Sequence, residues 1–216
     1  MRVLMLSWEY PPQIVGGIAP HVHDLSLALT EKGQEVTVLT RSNDPRETME
    51  RSKGIKVFRV GRSAPEPPDF VSWVMQLNLH LMEKAVSMVE NGESFDLIHA
   101  HDWLVAYAGK GLKHAFRKPL IATIHATEWG RNNGLHNELQ RYISNVEWWL
   151  AFEAWRVICC SRYMRAELQR IFQLPANKLR VIPNGVYPEL FRRQAGDARA
   201  IRRKYAADDE QVVFYV

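Results

Sequence analysis

Several kinds of residue and pattern are scarce in this chain of 216 residues, and each shortage narrows what it does. It has two cysteines, Cys159 and Cys160, and they are adjacent. Neighbouring strand residues point to opposite faces, so the pair is not expected to form a structural bridge, and a reducing, cytoplasmic setting is expected. No apolar run is long enough to span a bilayer, and the N-terminus carries no signal-peptide pattern. There is no internal repeat and no low-complexity tract. The formal net charge of +4 is too small and too scattered to argue for nucleic acid as a partner. The segment Gly16-Gly17-Ile18-Ala19-Pro20-His21 lacks the third glycine of a dinucleotide fingerprint. No Gly-Lys-Ser/Thr follows it, so it is not a P-loop.

Strand-like apolar runs at 2–7, 35–40, 55–60, 95–100, 119–125, 156–160, 179–182 and 211–216 alternate with helix-period segments. The helical segments are 18–32, 71–91, 103–116, 137–154, 162–172 and 197–205. This alternation predicts an α/β fold, a Rossmann-like parallel sheet with helices on both faces. Strand 35–40 ends in Arg41, not in the acidic residue that would hold a cofactor ribose. The run Gln211–Val216 reads as a strand without a turn or covering helix after it. The expected organisation is therefore a domain over 1–190, then a linker helix and the first strand of a second domain over 191–216.

Ligands of open parallel sheets bind beyond the C-terminal ends of the strands. Three polar clusters fall there: Trp8, Glu9 and the Gly16-Gly17 loop; His99-Ala-His101-Asp102-Trp103; and His125-Ala-Thr127-Glu128-Trp129. Two chemistries fit. One is a metal-dependent hydrolase using His99, His101 and His125. The other is a pocket for sugar hydroxyls and a diphosphate, with the glycines allowing close approach of backbone amides. A stand-alone sugar-binding module is a variant of the second.

Five motifs occur in register: P-P-x-x-x-G-G-x-x-x-H-V, H-A-H-D-W, T-I-H-A-T-E-W-G-R, V-I-C-C-S-R-Y-M and V-I-P-N-G-V. Together they resemble the N-terminal half of the family-4 and family-5 glycosyltransferases, the GT-B enzymes that include glycogen and starch synthases. The resemblance implies a retaining transferase that moves a hexose from a nucleotide sugar, such as ADP-glucose or UDP-glucose, to a glucan-like or other sugar acceptor. It implies no metal and no other cofactor. It also implies a C-terminal donor-binding domain of the same enzyme, without which these residues alone are expected to be inactive.

By position, the resemblance assigns Gly16 and Gly17 to the donor diphosphate and His125 to the side of the reacting carbon. It assigns Asp102 to the acceptor, with His101 beside it, and matches His21 to the histidine of the family-4 glycine loop. Glu9 and Glu128 are assigned to sugar hydroxyls. Glycogen and starch synthases carry a lysine at the loop, whereas this chain reads Ile14-Val15-Gly16-Gly17, nearer to family 4. Trp148, Trp149 and Trp155, at helical spacing, are expected in the core. The basic stretch Lys110, Lys113, His114, Arg117 and Lys118 is read as a solvated helix end, so a membrane surface is not a favoured partner.

Overall fold

A computed structural model of the protein describes residues 1–61, 66–191 and 198–213. Two compact units are present, Met1–Asn184 and Gly185–Val216. The first is built on one eight-stranded sheet. Its strands are β1 (Arg2–Leu6), β2 (Glu35–Arg41), β3 (Thr48–Ser52), β4 (Ile55–Val60), β5 (Leu97–His101), β6 (Leu120–Ile124), β7 (Arg156–Cys159) and β8 (Leu179–Val181). They lie in the order β3-β4-β2-β1-β5-β6-β7-β8. All neighbours are parallel except the β3–β4 pair. The helices are α1 (Ile18–Glu31), α2 (Phe70–Glu90), α3 (Ala106–Phe116), α4 (Glu128–Asn132), α5 (Glu138–Glu153) and α6 (Arg162–Phe172). The second unit holds a short turn of 3-10 helix at Pro188–Phe191 and α7 (Ala198–Arg202).

Alternation along the central strands divides the core. Val3 and Met5 pack with Val36, Val38, Ile55 and Val57 against Val22 and Leu27 of α1. Leu4 and Leu6 join Leu39, Ile98 and Ala100 against α2 and α3 on the other face. Both faces are covered, which is why β1, β2 and β5 are buried at nearly every position instead of every second one. Leu97 packs on the α1 side, so the period of two turns His99 and His101 toward that face as well.

β3 was not expected. Its five residues, Thr48-Met-Glu-Arg-Ser, are all exposed, so no apolar period marks them. The signal is the turn: Lys53 and Gly54 both have positive φ, +50° and +83°, as a two-residue type I′ hairpin requires. Its charged residues blunt an open sheet edge. The tryptophan expectation is corrected in part. α5 buries Ile143, Val146, Glu147, Leu150 and Ala151, which leaves Trp148 on the outer face at 43 % exposure. Trp155 lies past the helix end at 60 %. In the C-terminal run, residues 211–213 are in no strand, and 214–216 fall outside the described residues.

One buried polar residue joins the helical layer to the sheet rim. Asn78 of α2 donates to the carbonyls of Val74 and Leu104, and its Oδ1 accepts from Ala108 N–H at 2.8 Å. It thereby caps the start of α3 from outside that helix. Asn78→Ala leaves the Ala108 N–H and Leu104 carbonyl short of a partner. The expected cost is about 2–3 kcal/mol, a melting temperature lower by roughly 5–10 °C in a thermal scan. A change under about 2 °C would show that the bridge is incidental.

Candidate active site

The C-terminal ends of β1, β5 and β6 are neighbours in the sheet, so the loops after them meet. Glu9, just beyond β1, is wholly buried. Its carboxylate accepts from Val15 N–H (2.6 Å), Gly16 N–H (3.0 Å) and Ala19 N–H (3.1 Å). α1 has no side-chain cap from its own N-cap residue, Gly17, and Glu9 supplies the anion that its N-terminus favours. Gly17 sits at φ −75°, an ordinary helical value, and a Cβ built on it meets nothing within 4 Å. The backbone therefore does not demand glycine there, and the space beside it is open.

Three imidazoles gather in front of this loop. His21 from the first turn of α1 and His125 from the end of β6 have ring centroids 4.6 Å apart. His101, the last residue of β5, places Nδ1 3.3 Å from His125 Nε2. His21 Nδ1 lies 3.0 Å from Asn184 Oδ1. His99 lies beside His101 on the same face, with ring centroids 4.2 Å apart, but its Nε2 is engaged 2.8 Å from Thr123 Oγ1. Burial is the first cause of a lowered pKa in all four rings: His99 falls to about 3, His125 to about 4, His101 well below its ordinary value, and His21 downward. The cluster is uncharged at neutral pH.

Asp102, 3 % exposed, ties the rim together. Its Oδ1 accepts the His125 N–H at 2.7 Å, and burial pushes its pKa up to about 6. The loop after His125 hangs on further buried acids. Glu147 of α5 accepts the Glu128 N–H on both oxygens at 2.9 Å. Thr127 caps α4 by accepting from Gly130 N–H, and donates its own hydroxyl to Glu167 of α6. A Cβ on Gly130 would stand 2.8 Å from Glu167 Oε1 and 3.1 Å from Thr127 Oγ1, so a larger residue here would have to displace the Glu167 carboxylate from Thr127. Arg131 reaches Glu128, Asp102 and Glu147 at 3.4, 3.7 and 3.8 Å. The Glu128 carboxylate meets Arg131 and Asn132.

The structure thus brings together His21, His101, His125 and Asp102, and places Glu9 beneath the exposed Gly16 and Gly17. Glu128 lies one helix turn before Arg131, with which it pairs. Sequence reasoning missed Glu147, Glu167, Arg131 and Asn184. Glu147 had a signal, since it stands on the apolar stripe of α5 between Val146 and Leu150 where a solvated face would not put it. A cavity of about 340 Å³ opens on the same rim at the ends of β2 and β4, lined in part by Arg41, Asp69, Phe70 and Trp73. Its lining does not include His21, His101 or His125.

Comparison with known proteins decides the family. The model of Glycosyltransferase Family 4 matches residues 15–190. The chain belongs to glycosyltransferase family 4. It is 36% identical over 219 residues to an uncharacterized glycosyltransferase of Methanocaldococcus jannaschii, covering 100% of this chain and 55% of that protein. It is 35% identical over 200 residues to a glycogen synthase of Mycobacterium tuberculosis, covering 86% of this chain and 48% of that one. The chain spans about half the length of these relatives. Sucrose-phosphate synthase of Thermosynechococcus elongatus shares the fold, with a TM-score of 0.76 at 24% identity over 94% of this chain and 52% of that one. So does the catalytic domain of starch synthase IV from Arabidopsis thaliana, bound to ADP and acarbose, at a TM-score of 0.64 and 14% identity over 97% of this chain and 60% of that one. Family membership sets aside the hydrolase expectation. No helix among the described residues is long and apolar enough to cross a membrane.

The acids of this family-4 rim leave a pH signature. Burial raises Glu147 from 4.5 to about 8, against the Glu128 N–H and Arg131, which act the other way. The folded chain then binds this proton more tightly than the unfolded chain, so stability is highest in acid and declines as pH rises from about 4.5 to about 8. Asp102 acts in the same sense. Glu147→Gln should flatten that decline. Thermal scans of both proteins between about pH 5 and pH 8 check it, and parallel curves would contradict it.

Proposed function

We propose that this chain is the acceptor-side half of a retaining hexosyltransferase. The donor is a nucleotide sugar such as ADP-glucose or UDP-glucose, and the acceptor is a glucan-like or other sugar. The observation that carries the reading is the meeting of His125 with His21, in the first turn of α1, the helix whose N-cap is the exposed, sterically open Gly17. In this reading the diphosphate lies over the glycine loop, in the open space beside Gly17; the Val15, Gly16 and Ala19 amides are held by Glu9 and are not its donors. The sugar then stands before the imidazoles. Glu9 fixes the loop from below, and Asp102 fixes His125 through its backbone.

The neutrality of the cluster suits the chemistry. Breaking the bond between the sugar and the diphosphate leaves positive charge on the anomeric carbon. An imidazolium about 4–5 Å away would oppose that charge by roughly 3–4 kcal/mol at an effective dielectric of 20. A neutral ring avoids this and still exchanges hydrogen bonds with hydroxyls. No metal or other cofactor enters this scheme. The nearby cavity, with Phe70 and Trp73 stacked 5.8 Å apart beside polar groups, suits the flat faces and hydroxyls of an acceptor sugar. A C-terminal domain of the same enzyme supplies the remaining donor contacts, so the 216 residues alone are inactive in this reading. The setting proposed is the cytoplasm.

Two substitutions in the full-length enzyme test the assignment. Gly17→Val should leave the melting temperature within about 2 °C, because its Cβ meets nothing in the fold. It should lower kcat/KM for the donor by about 10- to 100-fold, the worth of one charged hydrogen bond. A sharp fall in melting with normal activity per folded molecule would remove the loop from the site. His125→Ala should lower kcat by on the order of 10²–10³ and change the donor KM less, as expected of a group acting on the transition state. A variant within twofold of wild type in steady-state assays would make His125 structural only.

A further inference from the structure

The histidine cluster carries a second chemistry. His21, His101 and His125 each present a ring nitrogen, and the three atoms lie within 4.8 Å of one another. His101 Nδ1 and His125 Nε2 are 3.3 Å apart. A tetrahedral ion with bonds of ~2.0–2.1 Å to nitrogen holds neighbouring nitrogens about 3.3–3.4 Å apart, so this pair already has the spacing of two ligands on one ion. The third ligand, His21, is on a half-buried side chain, and the closure it needs is on the order of 1.5 Å. Asn184 Oδ1 only accepts hydrogen bonds, so His21 Nδ1 donates and its Nε2 keeps a lone pair. Metal-binding imidazoles carry this kind of outer hydrogen bond.

We propose that His21, His101 and His125 form a site for one late first-row transition-metal dication, with zinc the best-fitting ion. Three imidazoles and one open position match its tetrahedral preference. His99, engaged with Thr123, is not a ligand. An ion held there occupies the ground in front of His125 and closes the rim, so the metal is an inhibitor of transfer. That consequence rests on the transferase reading, whereas the binding does not.

The test uses the tag-free full chain and cobalt(II), whose visible spectrum becomes intense when it is tetrahedral. The expected result is one equivalent of cobalt with such bands, displaced by zinc. Zinc affinity should fall by about 100-fold in His21→Ala and about tenfold in Asn184→Ala, and stay unchanged in His136→Ala, an exposed ring on another loop. A thermal scan confirms that each variant is folded. Absence of the cobalt bands, or zinc affinity unaltered in both His21→Ala and Asn184→Ala, overturns the site. In the full-length enzyme zinc should abolish transfer and a chelator restore it; transfer unaffected by saturating zinc overturns the inhibitory role. If the metal binds as described but metal-free full-length protein transfers no sugar, the functional reading fails and the site stands.

Discussion

The hydrogen bond from His125 N–H to Asp102 is the contact on which the rim depends. It joins the ends of β5 and β6, the two strands that carry two of the three clustered imidazoles. To make it, Asp102 adopts φ +60° and ψ 176°, a region that side-chain-bearing residues avoid at a cost of order 1–3 kcal/mol. The same carboxylate is buried to 3 % exposure. Backbone strain and a buried acid are both unfavourable by themselves. They are held because the sheet core on either side leaves the strand ends little freedom, and because a hydrogen bond to a carboxylate is worth about 1.5–3 kcal/mol.

Glu9, Glu147 and Glu167 repeat the pattern. Each is buried, and each grips a backbone amide or a capping hydroxyl in a loop leading to the rim. Helix ends and sharp turns expose donors that the regular ladders cannot satisfy, and these acids take them. The rings themselves stay uncharged because the same burial penalises protonation. Buried carboxyl groups thus lie behind the loops, and neutral, hydrogen-bonding rings face outward. That division suits a site where positive charge develops on a sugar.

Much of the fold was legible because its strands are buried on both faces. Runs such as Arg2–Leu6 and Leu120–Ile124 read as continuous apolar segments, and α2 and α5 show clear helical periods. β3 was not legible from hydrophobicity, since nothing covers it. α4 was missed because five residues held by a Thr127 cap carry no apolar period. Trp148 was misplaced because its helical spacing alone does not say which face turns inward. The histidines and Asp102 were legible as a rim from the rule that ligands meet strand ends. What no local pattern shows is who grips whom. Glu9 reads as a polar residue after a strand, yet its oxygens close on amides six to ten residues ahead. Asn184 meets His21 across 163 residues of chain.

The central claim is that a donor sugar reacts in front of His125 with its diphosphate over Gly17. A crystal structure of the full-length protein with an intact nucleotide sugar tests this most directly. The account requires the sugar within hydrogen-bond distance, about 3 Å, of the His125 side, and the diphosphate against the Gly16-Gly17 loop. A donor bound with its sugar away from this rim, leaving His125 and Gly17 untouched, would contradict it.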